Sequence, residues 1–399
     1  MDKKGVTMKK IAFVIVLLSL INSHNHTLNQ LENNMDRYDL FFHQVSNHYN
    51  YEQYYPSLET IKLFTNFTKC NSVNKYEKVN LDECLSNIQM LSNIYDNSFF
   101  KLYPDALQIL KQSVKLSFLA ASDYNEDLHH LKSVAIRCKS LPDQEIAFYH
   151  PKTNTIYLDL SKISSANYLQ KVLAHEINHV RQTTSLNNNA YYSSLGESPT
   201  FAYLMEASAE SQLINYANIE SYAYEDKRKQ ENYLLLTACF KENKSLDQYY
   251  EAIFNTDFTA FYNFFNLQDI DDYQIFYNIN YTFNNSIKSN YQVAYNDILK
   301  IVLKDLLVLI HNDKITKEEL HTVIIFLNDL YKNEVNDETY KRMWQIFFES
   351  VQLIKGWDKT DILSSTAVSY EHIAIKYPVF HIFLNSNVND LNPNIILTK

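Results

Sequence analysis

The stretch VLAHEINHVRQ, residues 172–182, decides how the rest of this 399-residue sequence is interpreted. It places His175 and His179 four residues apart, with Glu176 directly after the first histidine. Residues i and i+4 of an α-helix lie on one face, so both imidazoles can reach a single ion. Glu176 then lies about 100° around the helix from His175, beside the ion rather than bound to it. The alternative interpretation is the polar face of an ordinary helix.

The surrounding residues predict an amphipathic helix from about Ser165 to Thr183. Its apolar residues share a face about a third of a turn from the two histidines, which leaves one side for a core and the other for a cleft. These residues are Leu169, Leu173, Ile177 and Val180. The helix therefore supports a site rather than a fully solvated polar face.

Two β-rich runs precede this helix in EIAFYHPKTNTIYLDL, residues 145–160, and the Pro/Asn turn between them predicts a hairpin. After the helix we expect a loop over residues 185–197. A second helix then follows, with Ser198 as N-cap and Pro199 at its first position, covering FAYLMEASAESQLINYA.

The second helix offers a third ligand for an ion held by the two histidines. Glu206 and Glu210 share one of its faces, and the residues around them are small (Ala202, Ala207, Ser208 and Ala209), so the two helices can approach closely. Two imidazoles and a carboxylate are a ligand set typical of catalytic zinc, which keeps its fourth position for water. Glu206 is the predicted third ligand. The alternatives are Glu210 in its place, or neither.

The order of hairpin, HExxH helix, loop and ExxxE helix resembles the gluzincin branch of the zincin metallopeptidases, the group that includes thermolysin. The resemblance covers about residues 140–215. It implies that Zn²⁺ is bound by His175, His179 and Glu206, and that Glu210 accepts the other N–H of a ligating histidine. It also implies that Glu176 is the general base, which takes a proton from the attacking water and delivers it to the leaving amine.

The resemblance extends to the hairpin but stops short of some family features. It implies that TIYLDL, residues 155–160, is the edge strand that binds the extended substrate backbone. Gln182 and Ser185 stand where the metzincin branch has a glycine and a third histidine, so that branch is excluded. The family also uses a histidine or tyrosine to steady the oxyanion. Tyr191, Tyr192 and Tyr203 lie nearby in sequence, and the sequence does not choose among them.

The N-terminus has the pattern of a secretory signal. Lys9 and Lys10 precede an apolar run over residues 11–21, which is short for a membrane span. We predict a signal peptide over residues 1–23, and hence a secreted, periplasmic or cell-surface protein with no other membrane span. The alternative is an uncleaved anchor.

An exported chain with four cysteines can form up to two disulfides. Cys70 and Cys84 are close in sequence and are the first candidates for a pair. Alternatively, Cys84 is a small core residue, because it shares the apolar face of a helix predicted over residues 81–94.

The remaining sequence predicts helices on both sides of the metal-binding segment. The predicted fold is α+β and predominantly helical. It has an N-terminal helical region over 24–140, a zincin-like core over 141–240 and a C-terminal helical domain over 241–399.

Within the C-terminal helical domain, Thr316 and Glu319 form a predicted capping box, and residues 302–310 form a predicted buried helix. Four residues at helical spacing, Trp344, Phe347, Phe348 and Val351, predict core packing, with a substrate groove as the alternative. The pair His129–His130 predicts solvated surface.

Composition limits the functions that fit. The net charge of -10 and the absence of a dense Lys/Arg block argue against a nucleic-acid partner. The three glycines, Gly5, Gly196 and Gly356, are too far apart to form the phosphate-binding loops GxGxxG or GxxxxGK(S/T). The sequence predicts an exported zinc metallopeptidase acting on a peptide or protein. The alternatives are an exported helical binding protein with an inactive or structural zincin core, and a zinc hydrolase acting on a non-peptide cell-wall amide.

Overall fold

The computed structural model describes residues 77–78, 105–117, 125–126, 134–186, 190–192, 200–217, 224–266, 270–331 and 337–384. Within these ranges the chain is mostly helical and contains one small three-stranded sheet. The structure is consistent with the predicted α+β class. The predicted signal segment, the helix over 81–94, the Cys70–Cys84 pair and His129–His130 lie outside the described residues.

The strands in the described ranges are all short. They are β1 (Glu77–Lys78), β2 (Asn125–Glu126), β3 (Ala135–Cys138), β4 (Ala147–His150), β5 (Thr155–Leu158), β6 (Thr184–Leu186) and β7 (Ala190–Tyr192). β1 pairs with β2 and β6 with β7, both antiparallel, while β3, β4 and β5 form the three-stranded sheet.

The predicted hairpin is confirmed as β4 and β5. The two strands pair antiparallel, with Tyr149 opposite Ile156. A 3₁₀ turn over Pro151–Thr153 joins them, and Asn154 closes it in the left-handed conformation at φ 45°. Asparagine tolerates this region better than most residues, which explains why a Pro/Asn pair marks the turn.

The prediction that residues 155–160 form the edge strand is wrong. β3 pairs parallel with β5, so the strand order is β3-β5-β4 and β5 lies in the centre. Residues 135–138 were expected to be helical, as part of the region over 24–140, but they form β3 instead. Ile136 lies opposite Ile156 and both are buried, so pairing satisfies the backbone of β5 on both sides and buries apolar surface. In the described sheet the edge strands are β3 and β4, and β4 is the one that contacts the HExxH helix.

The described helices follow in chain order. They are α1 (Ala106–Ser117), α2 (Ala166–Arg181), α3 (Ala202–Ala217), α4 (Glu225–Cys239), α5 (Leu246–Phe254), α6 (Phe258–Phe265), α7 (Ile270–Asn284), α8 (Tyr291–His311), α9 (Lys317–Tyr331), α10 (Asp337–Lys355), α11 (Lys359–Leu363), α12 (Tyr370–Lys376) and α13 (His381–Leu384). None of the helices in these ranges is long and apolar enough to cross a membrane.

The predicted HExxH helix is confirmed as α2. It begins after Ser165, whose hydroxyl accepts the Tyr168 amide at 3.1 Å and thereby caps the first turn. It packs against α1 and β4, and its buried residues Leu169 and Leu173 belong to the same core as Ile156 of β5. The opposite face is more enclosed than the predicted cleft, because His175 and Glu176 are buried as well.

The segment after α2 differs in part from the predicted loop. β6 and β7 form a short hairpin around residues 187–189. The second predicted helix is present as α3, whereas its predicted cap, Ser198–Pro199, lies outside the described residues. The capping of α3 therefore stays a prediction.

The C-terminal helices pack around α4 and α8. α4 contacts both α3 and α8, which joins the helices that carry the HExxH and ExxxE motifs to the C-terminal part. The capping box is confirmed, since Thr316 and Glu319 each bond the other's backbone amide. The predicted core residues are also confirmed, because all four are buried (Trp344, Phe347, Phe348 and Val351). Cys239 is buried and forms no disulfide, which leaves at most one disulfide among the four cysteines.

Candidate metal centre

Three side chains from α2 and α3 converge on one point. The Nε2 atoms of His175 and His179 lie 3.0 Å apart. Oε2 of Glu206 lies 3.5 Å from the first nitrogen and 3.4 Å from the second. Among the described residues, His175, His179 and Glu206 form the group that could hold a metal ion.

Two of the three separations fit a tetrahedral ion. Neighbouring ligand atoms around such an ion lie about 3.3–3.6 Å apart when its bonds are about 2.0–2.2 Å long. Two of the observed separations, 3.4 and 3.5 Å, fall in this range, and the third, 3.0 Å, is slightly shorter. Moreover, two imidazole nitrogens at 3.0 Å cannot both present lone pairs to each other without a cation or proton between them. The residues therefore fit a small metal ion with one ligand position left open.

Carboxylates lie next to the His175 imidazole and favour positive charge on it. Burial lowers the pKa of His175, but hydrogen bonds with Glu206 and Glu210 outweigh that effect and raise the pKa to about 10. Burial raises the pKa of Glu206, but His179 and His175 together hold it well below its usual value, so this carboxylate is ionised. An environment that favours a proton on an imidazole for this reason also favours a divalent cation in the proton's place.

Glu210 holds the far side of the first histidine. Its Oε2 lies 3.3 Å from Nδ1 of His175, and both side chains are almost fully buried. A carboxylate only accepts hydrogen bonds, so Nδ1 of His175 is the donor toward Glu210, and Nε2 is the ring nitrogen that faces Glu206 and His179. Glu210 therefore lies where the resemblance implies, next to a histidine and away from the ligand position.

Glu176 lies beside the group and is held by the edge strand. Its carboxylate accepts the backbone N–H of Tyr149 in β4, and its Oε2 is buried with no hydrogen-bond partner. Burial raises the pKa of Glu176, although His179 and His175 act in the opposite direction. A buried carboxyl with a raised pKa and one unbonded oxygen takes up a proton more readily than an exposed glutamate does.

The two helices meet closely because α3 is lined with small residues. Ala207, Ser208 and Ala209 are all fully buried. Asn178, inside the HExxH motif, donates from Nδ2 to the Ala209 carbonyl at 2.8 Å and to Oε1 of Gln212 at 3.0 Å. A larger side chain at either alanine would separate the helices and move Glu206 away from the histidines.

Tyr224 lies at the open side of the group. Its ring stacks on His175 with centroids 5.6 Å apart and an interplanar angle of 20°. Its phenol hydrogen-bonds to the Glu206 carboxylate. Burial, together with Glu206 and Glu176, raises the pKa of Tyr224, so the phenol stays protonated and can donate. The side chains of His179 and Glu206 are 16% and 31% exposed, against 1% for His175, so solvent reaches the group from this side.

The tyrosines that the sequence placed nearby do not fill this role in the described structure. Tyr203 is buried, and its phenol donates to Oδ1 of Asn280 at 2.8 Å, within the helical core. Tyr191 and Tyr192 form part of β7, and their side chains lie outside the described atoms.

Sequence reasoning missed two residues of the group, Tyr224 and Gln182. Oε1 of Gln182 lies 2.8 Å from Nδ1 of His179. Its position three residues after His179 was a usable signal, because residues i and i+3 are neighbours on a helix. Tyr224 carries no such signal, because it comes from the start of α4, far along the chain.

Comparison with protein-family models, with curated proteins and with solved structures found no match to this chain. The resemblance to gluzincins therefore rests on the residues and geometry of this group alone.

Proposed function

We propose that this chain is a zinc metallopeptidase of the gluzincin type. The observation that carries the proposal is the convergence of His175 Nε2, His179 Nε2 and Glu206 Oε2, with Glu176 beside them. A purely structural zinc site is closed by four protein ligands and has no use for a neighbouring base. Three ligands, an open side and a buried carboxylate are instead the parts of a hydrolytic centre.

Zinc is the proposed ion because of the donor atoms. Mg²⁺ and Ca²⁺ prefer oxygen ligands and higher coordination numbers, whereas two imidazoles and one carboxylate suit Zn²⁺. When bound, zinc polarises a carbonyl group and makes water a stronger nucleophile at neutral pH.

Glu176 is the proposed general base. Its unbonded Oε2 accepts a proton from the attacking water, and the Tyr149 N–H holds the other part of the carboxylate in place. The same carboxyl then donates the proton to the leaving amine. The Tyr224 phenol, which is protonated and lies next to Glu206, is the proposed donor to the oxyanion that develops on the substrate.

Strand β4 supports a peptide as the substrate. The Asp159 amide donates to the Ile146 carbonyl, so in this antiparallel ladder the backbone groups of Ala147 and Tyr149 point away from β5. They point toward the side where Glu176 lies. An extended peptide can pair with this edge and bring one of its carbonyls to the metal-binding group. Together with the proposed signal segment over 1–23, this suggests an exported peptidase.

The test combines metal content with two substitutions. We expect the purified chain to contain about one zinc ion and to cleave members of a broad peptide library. Glu176→Gln should keep the zinc and lower cleavage by about 10²–10⁴-fold, because it removes general-base catalysis. Glu371→Gln, an exposed glutamate on α12, is the matched control and should cleave like the native chain.

Three results would contradict the proposal. Cleavage that survives Glu176→Gln would exclude Glu176 as the base. Zinc without cleavage of any amide would favour the binding-protein alternative. Cleavage restricted to cell-wall amides would favour the non-peptide hydrolase.

A further inference from the structure

Gln182 joins the C-terminal end of α2 to the helix that carries Glu206. It is the C-cap residue of α2 and is 1% exposed. Its side chain makes three hydrogen bonds, one to His179 and two to α3. None of these contacts follows from the HExxH or ExxxE patterns.

The two contacts with α3 determine the orientation of the Gln182 carboxamide. Nε2 donates to the Met205 carbonyl at 2.9 Å, and a carbonyl can only accept. Nε2 also lies 2.9 Å from the Ser208 hydroxyl, which donates its own proton to the Leu204 carbonyl at 2.5 Å and so accepts here. Both neighbours on α3 are acceptors. The NH₂ group therefore faces α3, and Oε1 faces His179.

This orientation in turn determines the tautomer of His179. Oε1 of Gln182 is an acceptor, so Nδ1 of His179 at 2.8 Å must be the donor. A neutral imidazole carries one N–H, so Nε2 of His179 presents a lone pair. That lone pair faces the point where His175 and Glu206 converge. Without such an acceptor, both tautomers of the ring are accessible.

We propose that Gln182 is a positioning residue for the metal centre, an inference that rests on the metal site in the proposed function. Gln182 holds His179 in the Nδ1–H tautomer and ties its ring to the turn of α3 that contains Glu206. One side chain thereby couples the second histidine ligand to the carboxylate ligand. Glu210 on α3 occupies the corresponding position next to Nδ1 of His175.

The neutrality of Gln182 has its own consequence. Three glutamates, Glu176, Glu206 and Glu210, already surround the two imidazoles. A carboxylate at residue 182 could still accept from Nδ1 of His179, but it could not donate to the Met205 carbonyl. Gln182→Glu therefore separates the two functions of the side chain, because it keeps the tautomer and loses the link to α3.

The test uses three variants and two measurements. Gln182→Met preserves the size of the side chain and removes both functions, while Gln182→Glu keeps only the acceptor. Gln212→Met is the matched control, because Gln212 is a buried glutamine between the same helices that bonds to Asn178 and to no ligand. Zinc affinity is measured by competition with a chelator. The His179 tautomer is read from imidazole ¹⁵N chemical shifts of the metal-free chain at a pH where the ring is neutral.

We expect Gln182→Met to weaken zinc binding by about 10–100-fold, the usual effect of removing a group that orients a ligand. Metal-free native protein should show His179 protonated at Nδ1, and Gln182→Met should show a mixture of tautomers. Gln182→Glu should restore the Nδ1–H signal and part of the affinity. Gln212→Met should lower thermal stability and leave zinc affinity unchanged.

Native-like zinc affinity in Gln182→Met would overturn the inference, and so would an Nε2–H signal for His179 in the native chain. The ¹⁵N measurement needs no metal and is made on the native chain, so it decides the inference even if Gln182→Met does not fold. If the native chain binds no zinc, the proposed function fails, while the tautomer measurement still decides the role of Gln182.

Discussion

Tyr224 adopts a backbone conformation that tyrosine rarely takes. At φ 59° and ψ 29° it lies in the left-handed region, which costs a non-glycine residue about 1–3 kcal/mol. Its ring packs on His175, the Lys227 ammonium lies 4.3 Å from the ring centroid, and its phenol reaches Glu206. These contacts offset the backbone cost and orient the hydroxyl toward the metal-binding group.

Tyr224→Phe tests whether that hydroxyl takes part in catalysis. The substitution keeps the ring on His175 and removes the one group able to donate to a developing oxyanion from this position. We expect kcat to fall by about 10²–10³-fold with the zinc content unchanged, the effect seen when one oxyanion donor is removed. Steady-state kinetics on a cleaved peptide measures it.

Tyr203→Phe is the matched control for Tyr224→Phe. It removes a buried phenol that bonds to Asn280 in the helical core, so it should affect stability more than kcat. An unchanged kcat in Tyr224→Phe would rule out a catalytic role for the hydroxyl.

The sequence predicted those residues of the site whose positions depend on helix geometry alone. The i, i+4 spacing predicted that His175 and His179 share a face, and the second i, i+4 pair placed Glu206 and Glu210 on one face of α3. Tyr224 could not be predicted. With 31 tyrosines in the chain, only the packing of α4 against α3 selects the one that reaches His175.

Among the helices, a buried carboxyl joins α3, α4 and α5. Glu231 on α4 is fully buried. It accepts hydrogen bonds from Ser211 on α3 and from the Tyr249 phenol on α5, the second at 2.8 Å. Burial raises the pKa of Glu231 to about 7, although Ser211, Tyr249 and Arg228 act to lower it. The junction therefore changes charge near neutral pH.

The raised pKa predicts the direction of a stability change. The folded state holds the proton on Glu231 more tightly than the unfolded chain, whose glutamate pKa is about 4.5. The contribution of protonated Glu231 is fully present below pH 4.5 and is lost as pH rises through about 7. That contribution is on the order of 3 kcal/mol in the free energy of unfolding. Glu231→Gln has no proton to lose, so it should lack this part of the pH dependence.

Urea denaturation of the native chain and of Glu231→Gln at pH 5 and pH 8 checks the Glu231 prediction. The difference in unfolding free energy between the two proteins should shift in favour of the variant at the higher pH. Glu349→Gln, at an exposed position on α10, should follow the native chain at both pH values. A pH-independent difference between Glu231→Gln and the native chain would show that Glu231 titrates normally.

The sequence predicted helix α2 but not strand β3, and the difference has a physical reason. α2 is long, periodic and capped by Ser165, so its local signals agree with its structure. β3 has four residues and pairs in parallel with a strand about twenty residues further along the chain. Its stability comes from that distant partner rather than from its own sequence, and so it was assigned to a helical region. Because β3 was not foreseen, β5 was expected at the edge of the sheet, whereas the edges of the described sheet are β3 and β4.

In the molecule as a whole, the metal-binding group lies between two packed parts. The sheet and α1 cover one side of α2, while α3 and α4 connect the other side to the C-terminal helices. The candidate ligands come from two helices joined by a segment that contains the β6–β7 hairpin. Unfolding must separate α2 from α3, so it must also disperse these three side chains.

Zinc should therefore stabilise the entire fold by mass action. An ion that binds the folded chain and not the unfolded one adds about 2.7 kcal/mol at a free concentration of 100 times its Kd. Calorimetry on metal-free protein should show the unfolding temperature rising by several degrees with zinc. Mg²⁺ at the same concentration should have little effect, because it prefers oxygen ligands. His179→Gln should unfold near the metal-free temperature with or without zinc. An equal zinc-induced rise in His179→Gln would mean that zinc binds elsewhere, and no rise in the native chain would mean that the three ligand atoms do not form a zinc site.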